Sequence, residues 1–169
     1  MDWKRYLRRR MLLALVPIVP AAVWWSWSGS AVDDPPMRLR VSLSSRELSV
    51  IENGNVVRTY GVAVGRPSHP TPTGVFRTGY IDWNPSWNPP PTGWARNKEY
   101  QPPGAAANPM QGVKIYFLAP YYYIHGTNAP GSIGEAASHG CIRMTPDDAV
   151  SLAKRIQDAG GHVSLTITD

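Results

Sequence analysis

Seven prolines fall within residues 82–112 (Pro85, Pro89, Pro90, Pro91, Pro102, Pro103 and Pro109), with Trp83, Trp87, Trp94 and Tyr100 between them. Proline lacks the backbone N–H and fixes φ, so neither a helix interior nor a central strand can run through such a block. The chain must build its regular structure on either side and carry the block as one long, stiffened loop. Loops of this length are uncommon and are often lids or binding loops. Two readings of the aromatics coexist: they cover a sheet as core, or they form a flap that shapes a substrate groove.

The flanks read as strands. Leu39, Val41 and Leu43 alternate with Arg38, Arg40 and Ser42, a period of two. Residues 48–51 and 56–64 form two further runs, and Asn53-Gly54 between them signals a tight hairpin turn. The domain therefore opens as an antiparallel meander. A turn-rich stretch at 66–74 leads to a short strand near 75–80. After the proline block, 113–118 and 121–124 read as buried strands, 132–137 as one helical turn, and 163–167 as a last strand. One clear helix stands before that strand. Thr145 is a good N-cap, Pro146 suits the first helical position, and Asp147 and Asp148 complement the dipole. Val150, Ala153 and Ile156 give its apolar face, and Gly160-Gly161 ends it.

The formal net charge of +5 invites a nucleic-acid reading, and its location removes it. Residues 1–31 hold Lys4, Arg5, Arg8, Arg9 and Arg10 against Asp2 alone, so the remainder is nearly neutral. The basic cluster precedes a mostly apolar run at 11–27, the layout of an export signal. Pro17 and Pro20 interrupt that run, Trp24, Trp25 and Trp27 sit at its far end, and residues 28–31 are small. Cleaved signal peptide and uncleaved membrane anchor are both open. Either way, the positive-inside rule puts the rest of the chain outside the cytoplasm. Residues 1–36 are thus a targeting segment plus a linker (Asp33, Asp34, Pro35, Pro36), and 37–169 the functional domain. With no cysteine near the segment, lipidation of a mature N-terminal cysteine is excluded.

The chain has one cysteine, Cys141, so it has no internal disulfide. A free thiol in an oxidising compartment is a liability that asks for a use. A lone cysteine is often only a small hydrophobe, but this one has company: Ser138, His139 and Gly140 before it, and His125-Gly126 at a strand end 16 residues upstream. A thiol nucleophile needs a base within hydrogen-bond reach and a group to orient that base. His125 is the favoured base, with its second ring nitrogen donating to a carbonyl such as that of Gly126. His139, two residues from the cysteine, is the other candidate. Local amides pointing at Cys141 would favour the thiolate. The N–H groups of Gly140 and Cys141 are candidates for an oxyanion hole, and Arg143 for a substrate carboxylate. His69 and His162 have no comparable neighbours and receive no role. Zinc held by His125, His139 and Cys141 is a rival use, though the two-residue spacing of His139 and Cys141 is unusual for it.

These residues resemble the signature of the L,D-transpeptidase (YkuD-like) catalytic domain: Tyr123-Ile124-His125-Gly126-Thr127, Ile133-Gly134, and Ser138-His139-Gly140-Cys141-Ile142-Arg143-Met144. Val64-Gly65 and Thr71-Pro72-Thr73-Gly74-Val75-Phe76 agree with it, as do Pro85-Ser86-Trp87-Asn88-Pro89-Pro90 and, less closely, Asn108-Pro109-Met110-Gln111-Gly112. The resemblance covers about residues 37–169. It implies a mainly β fold, a sandwich or barrel-like mixed sheet with one or two helices. It also implies a cofactor-free, metal-free cysteine acyltransferase of the bacterial cell wall, in the periplasm or on the outer face of the inner membrane. Cys141 would attack the diaminopimelate carbonyl before a terminal D-alanine of a peptidoglycan stem and form a thioester. An amine, from another stem or a wall-anchored protein, would then take the acyl group. Water as acceptor would make it an L,D-carboxypeptidase, and a non-catalytic wall-binding module is the remaining alternative. By the same resemblance His125 is the base, His139 and Gly140 shape the oxyanion region, and Ser138 and Gly126 support the loop. Arg143, Thr127 and Tyr123 would meet the donor peptide. Without a recognisable wall-binding repeat, localisation falls to the N-terminal segment and selectivity to the 82–112 loop.

Overall fold

A computed structural model describes residues 36–169. The targeting segment and nearly all of the linker expected at 1–36 lie outside the described residues. Among the described residues no helix is long and apolar enough to cross a membrane.

The expected meander is present: β1 (Met37–Ser42), β2 (Glu47–Glu52) and β3 (Asn55–Gly61) pair antiparallel in sequence. Asn53 (φ 50°) and Gly54 (φ 81°) turn the β2–β3 hairpin, and two successive positive φ values are what an Asn-Gly pair tolerates best. The last strand, β11 (Ser164–Thr168), inserts parallel to β1 and antiparallel to β5 (Gly74–Arg77), closing a five-stranded sheet ordered β3-β2-β1-β11-β5. β3 is an edge strand, which is why Val56 and Val57 stay exposed.

A second sheet has four strands in the order β10-β8-β7-β6: β6 (Ile81–Trp83), β7 (Gln111–Leu118), β8 (Tyr122–Gly126) and β10 (Ile142–Met144). β6 and β7 flank the proline block, so the chain leaves and re-enters the same sheet around it. A small third pairing joins β4 (Val64–Gly65) to β9 (Ala136–Ser138). The one α-helix among the described residues, α1 (Pro146–Asp158), has Thr145 as N-cap, its side chain accepting from the Asp148 N–H at 3.2 Å. Gly160 and Gly161 end it with φ of 97° and 83°.

Leu39, Val41, Leu48 and Val50 of the first sheet share one core with Val113, Ile115, Ile124, Ile142 and Met144 of the second. Leu152 and Ile156 of α1 fill the same core. Each such fully buried aliphatic contributes about 1.5–3 kcal/mol of transfer free energy. The fold is thus mainly β with mixed sheets and one α-helix, as expected.

Three local expectations need correction. The buried face of α1 is Ala149, Leu152, Ala153 and Ile156, with Val150 at its margin against Gly112. Residues 132–137 form no α-turn; a short 3-10 turn at Pro130–Ser132 gives way to β9, whose pairing with β4 is invisible to local pattern. The strand near 75–80 ends at Arg77, because Thr78 leaves the ladder to accept the Val163 N–H on its buried hydroxyl.

Candidate active site

β8 and β10 run parallel, with Ile124 opposite Ile142 and His125 opposite Arg143. Opposed residues share a face, and so do residues two apart on one strand. The register therefore brings Tyr123 and His125 from β8 to the same side as Arg143 and the preceding Cys141. All four line one cleft of about 600 Å³. His125 and Arg143, 18 apart in sequence, become direct neighbours through a hydrogen-bonded ladder, with Cys141 just before it.

His125 is buried, and its Nδ1 lies 2.9 Å from the Gly126 carbonyl oxygen. A carbonyl only accepts, so Nδ1 carries the proton and Nε2 is left bare. Burial pushes the ring down to about 4, against a smaller upward pull from the Gly126 carbonyl. The ring is neutral at pH 7 and able to take a proton. Gly126 must be glycine, since a Cβ there would sit 2.2 Å from the Gln111 carbonyl oxygen.

Cys141 is partly exposed, and its Sγ donates to the Tyr121 carbonyl oxygen at 3.4 Å. Burial pushes the thiol up to about 11, while the Tyr123 backbone N–H and the charges of Arg143 and Lys114 pull the other way. The resting pair is thus thiol and neutral imidazole. A local amide, the Tyr123 N–H, does favour the thiolate as expected, but burial outweighs it.

Ser138 organises the loop between β9 and β10. Buried, it donates to the Cys141 carbonyl oxygen at 2.6 Å and accepts the Gly140 N–H at 3.0 Å. The Gly140 N–H is therefore already used, which removes it from the expected oxyanion pair and leaves the Cys141 N–H as the backbone donor beside the thiol. Gly140 has φ 107°, and a Cβ there would meet the Tyr122 ring at 2.7 Å. Only glycine makes this turn without strain.

His139 stacks on Trp94 with ring centroids 3.8 Å apart, and its Nε2 meets an Arg66 guanidinium nitrogen. Burial first, then Arg66, pushes it down to about 4. With Nε2 facing a cation, His139 cannot ligate a metal there, and no group of three metal-binding side chains occurs among the described residues. Arg143 is held by backbone bonds to Ala63 in both directions, 2.9 and 2.8 Å, and lines the cleft. Tyr123 also lines it, its hydroxyl pushed up by burial and by Cys141. Thr127 does not. It is buried, its N–H donates to Met144 and its Oγ1 accepts from Ala129, so it shapes the strand end and is off the donor-peptide side.

The proline block forms one wall of the cleft. Trp87 and Gln101 clip it to itself through two backbone bonds, at 2.9 and 3.0 Å. Asn108, fully buried, donates to the carbonyls of Pro85 and Pro102 and accepts the Met110 N–H. Trp83, Trp94 and Tyr100 stay exposed, so they do not join the core. Trp87 and Trp94 instead face the cleft. His69, which sequence gave no role, lies there too, its ring T-shaped against His139 with centroids 4.9 Å apart. Its position before the Thr-Pro-Thr-Gly turn is the one sequence signal that points to it. His162 binds the Thr78 carbonyl away from the cleft.

Residues 36–163 match the L,D-transpeptidase catalytic domain, YkuD. The chain belongs to that family. It is 35% identical over 134 residues to the putative L,D-transpeptidase YkuD of Bacillus licheniformis, across 79% of this chain and 68% of that protein. To the putative L,D-transpeptidase YqjB of Bacillus subtilis it is 31% identical over 162 residues, across 93% and 85%. Among solved structures, L,D-transpeptidase 3 of Mycobacterium tuberculosis shares the fold with a TM-score of 0.61 at 17% identity, over 80% of this chain and 62% of that one. This L,D-transpeptidase-family chain spans about two thirds of the length of the YkuD proteins it matches.

Proposed function

We propose that the protein is an exported peptidoglycan L,D-transpeptidase that acts in the periplasm or on the outer face of the inner membrane. The observation that carries this is the pairing of a protonated Cys141 with a neutral, carbonyl-oriented His125 on one face of two adjacent strands. Such a pair suits attack on a carbonyl with concerted proton removal. The Cys141 sulfur bonds to the diaminopimelate carbonyl carbon of a tetrapeptide stem while His125 Nε2 takes the thiol proton. The C–N bond to the terminal D-alanine breaks, and its amine leaves with that proton. A thioester remains. An acceptor amine, on a second stem or a wall-anchored protein, attacks the thioester, gives a proton to His125 and releases the thiol. The Cys141 N–H and His139 flank the developing oxyanion, and Arg143 meets a donor carboxylate. Lys114 and Arg143 favour negative charge on sulfur and oxygen. The residues 1–31, by their charge and apolar run, deliver the domain to the wall and either stay in the membrane or are removed.

Sacculi incubated with the purified protein and analysed for muropeptides test the proposal. Loss of terminal D-alanine together with 3–3 linked dimers is expected. Tripeptides without dimers would make water the acceptor and the protein an L,D-carboxypeptidase. Sedimentation with sacculi without any product would leave a wall-binding module.

A further inference from the structure

The chain after β4 turns at Gly65-Arg66, and the Arg66 N–H donates to the Ser138 carbonyl at 3.1 Å. This bond stitches the turn to β9 one residue before His139. From there Arg66 touches two histidines. One guanidinium nitrogen meets His139 Nε2, and Nε donates to His69 Nδ1 at 3.4 Å. A guanidinium has five donors and no acceptor. His139 Nε2 must then be the bare nitrogen, and the proton of the neutral ring sits on Nδ1. Trp94 stacked on one face, at 15° between planes, and His69 against an edge oppose a ring flip that would exchange the nitrogens.

We propose that Arg66 is a positioning residue that fixes the tautomer of His139, so that Nδ1–H is held as a hydrogen-bond donor beside Cys141. This rests on the acyl-transfer reading of the cleft. The charged and titratable groups that face the ring are Arg66 and His69 from the β4–β5 turn and Arg143 from β10, with Cys141 two residues on. The three that face it from other elements are bases, and protonating His139 would place an N–H against the guanidinium. The ring therefore stays neutral and keeps a single donor. In this role Arg66 needs no contact with substrate; it acts through His139. The Trp94 stack extends the same hold to the proline-rich wall, so the wall and the β4–β5 turn meet on one imidazole.

Two measurements on the full chain decide it. Long-range 15N–1H spectra of the imidazole groups at pH 7 are expected to show the Nδ1–H tautomer for His139. The Nε2–H tautomer in the unmodified protein would overturn the proposal without any variant. Arg66→Met is expected to lower kcat for D-alanine release from a tetrapeptide stem by at least about 10-fold, with KM for the stem nearly unchanged. In the same variant the His139 titration moves up toward about 6.5. Arg66→Lys, also a donor-only cation, is expected to keep the tautomer and restore most of the rate. An Arg66→Met protein with the original tautomer and rate would refute the assignment. If the unmodified protein releases no D-alanine, the acyl-transfer reading fails instead, and the spectra still report on the Arg66–His139 contact.

Discussion

His125 Nδ1 donates to the carbonyl oxygen of Gly126, its own neighbour in the chain, at 2.9 Å. The bond leaves Nε2 as the unprotonated nitrogen of the neutral ring. It also ties base orientation to a glycine that no other residue can replace. The pH dependence follows. With His125 down at about 4 and Cys141 up at about 11, kcat/KM for acylation should rise through about pH 4 and stay flat through neutrality. Resting Cys141 should react slowly with iodoacetamide at pH 7, since the thiolate is scarce. Rapid alkylation at pH 7 with a midpoint below 8 would contradict the neutral pair.

The same burial makes a stability prediction. His125 is neutral in both states above its unfolded value of about 6.5. As pH falls below that, the unfolded chain takes up the proton and the folded one resists until about 4. The folded state therefore loses about 3 kcal/mol across this window from His125 alone, and no more below it. Urea titrations of the protein and of His125→Asn at pH 7 and 4.5 isolate the effect; equal losses in both proteins would contradict it.

Cys141→Ala should abolish D-alanine release and leave the fold intact. The thiol is partly exposed and its single bond to Tyr121 is weak, so little cavity or lost packing results. Melting within a few degrees of the parent is expected, and residual turnover would remove Cys141 as the nucleophile.

Ser138→Ala removes two bonds at once and leaves the buried Gly140 N–H without its acceptor. About 1–3 kcal/mol of stability should go, seen as a lower denaturation midpoint. The rate should also fall, because the Cys141 N–H would no longer be held in place. A stable variant with full activity would show that the loop is fixed by other contacts.

Asn108→Ala should free the wall of the cleft. Its amide joins Pro85, Pro102 and Met110, and burial makes the stranded partners costly, at about 2 kcal/mol or more. Limited proteolysis within 82–112 and altered tryptophan fluorescence would report the release. An unchanged cleavage pattern would mean that the Trp87–Gln101 clip suffices.

Much of this was legible beforehand because the decisive signals were local. Asn53-Gly54 signalled a hairpin, Thr145-Pro146 a helix start, and the motifs around Cys141 the family. The failures were non-local. β9 exists only because residues 136–138 meet β4 across the molecule. Arg66 reaches His139, and His69 the cleft, through the same pairing, so neither advertises itself in sequence. The Gly140 N–H looked available until Ser138, which also holds Cys141, was seen to occupy it. The aromatics of the proline block had no partner that pattern could name, since Trp94 finds His139 some 45 residues away.

The β8–β10 register has an engineering consequence. His125 rides on β8 and Cys141 stands just before β10, two strands bonded directly to each other, whereas the wall facing them is a loop anchored at its own two ends by β6 and β7. The two are nonetheless joined: β7 pairs with β8 at Lys114 and His125, and Trp94 of the loop stacks on His139. Transplanting a different 84–110 segment between β6 and β7 should retune which peptides are accepted, and a graft that omits Trp94 should loosen the His139 ring as well.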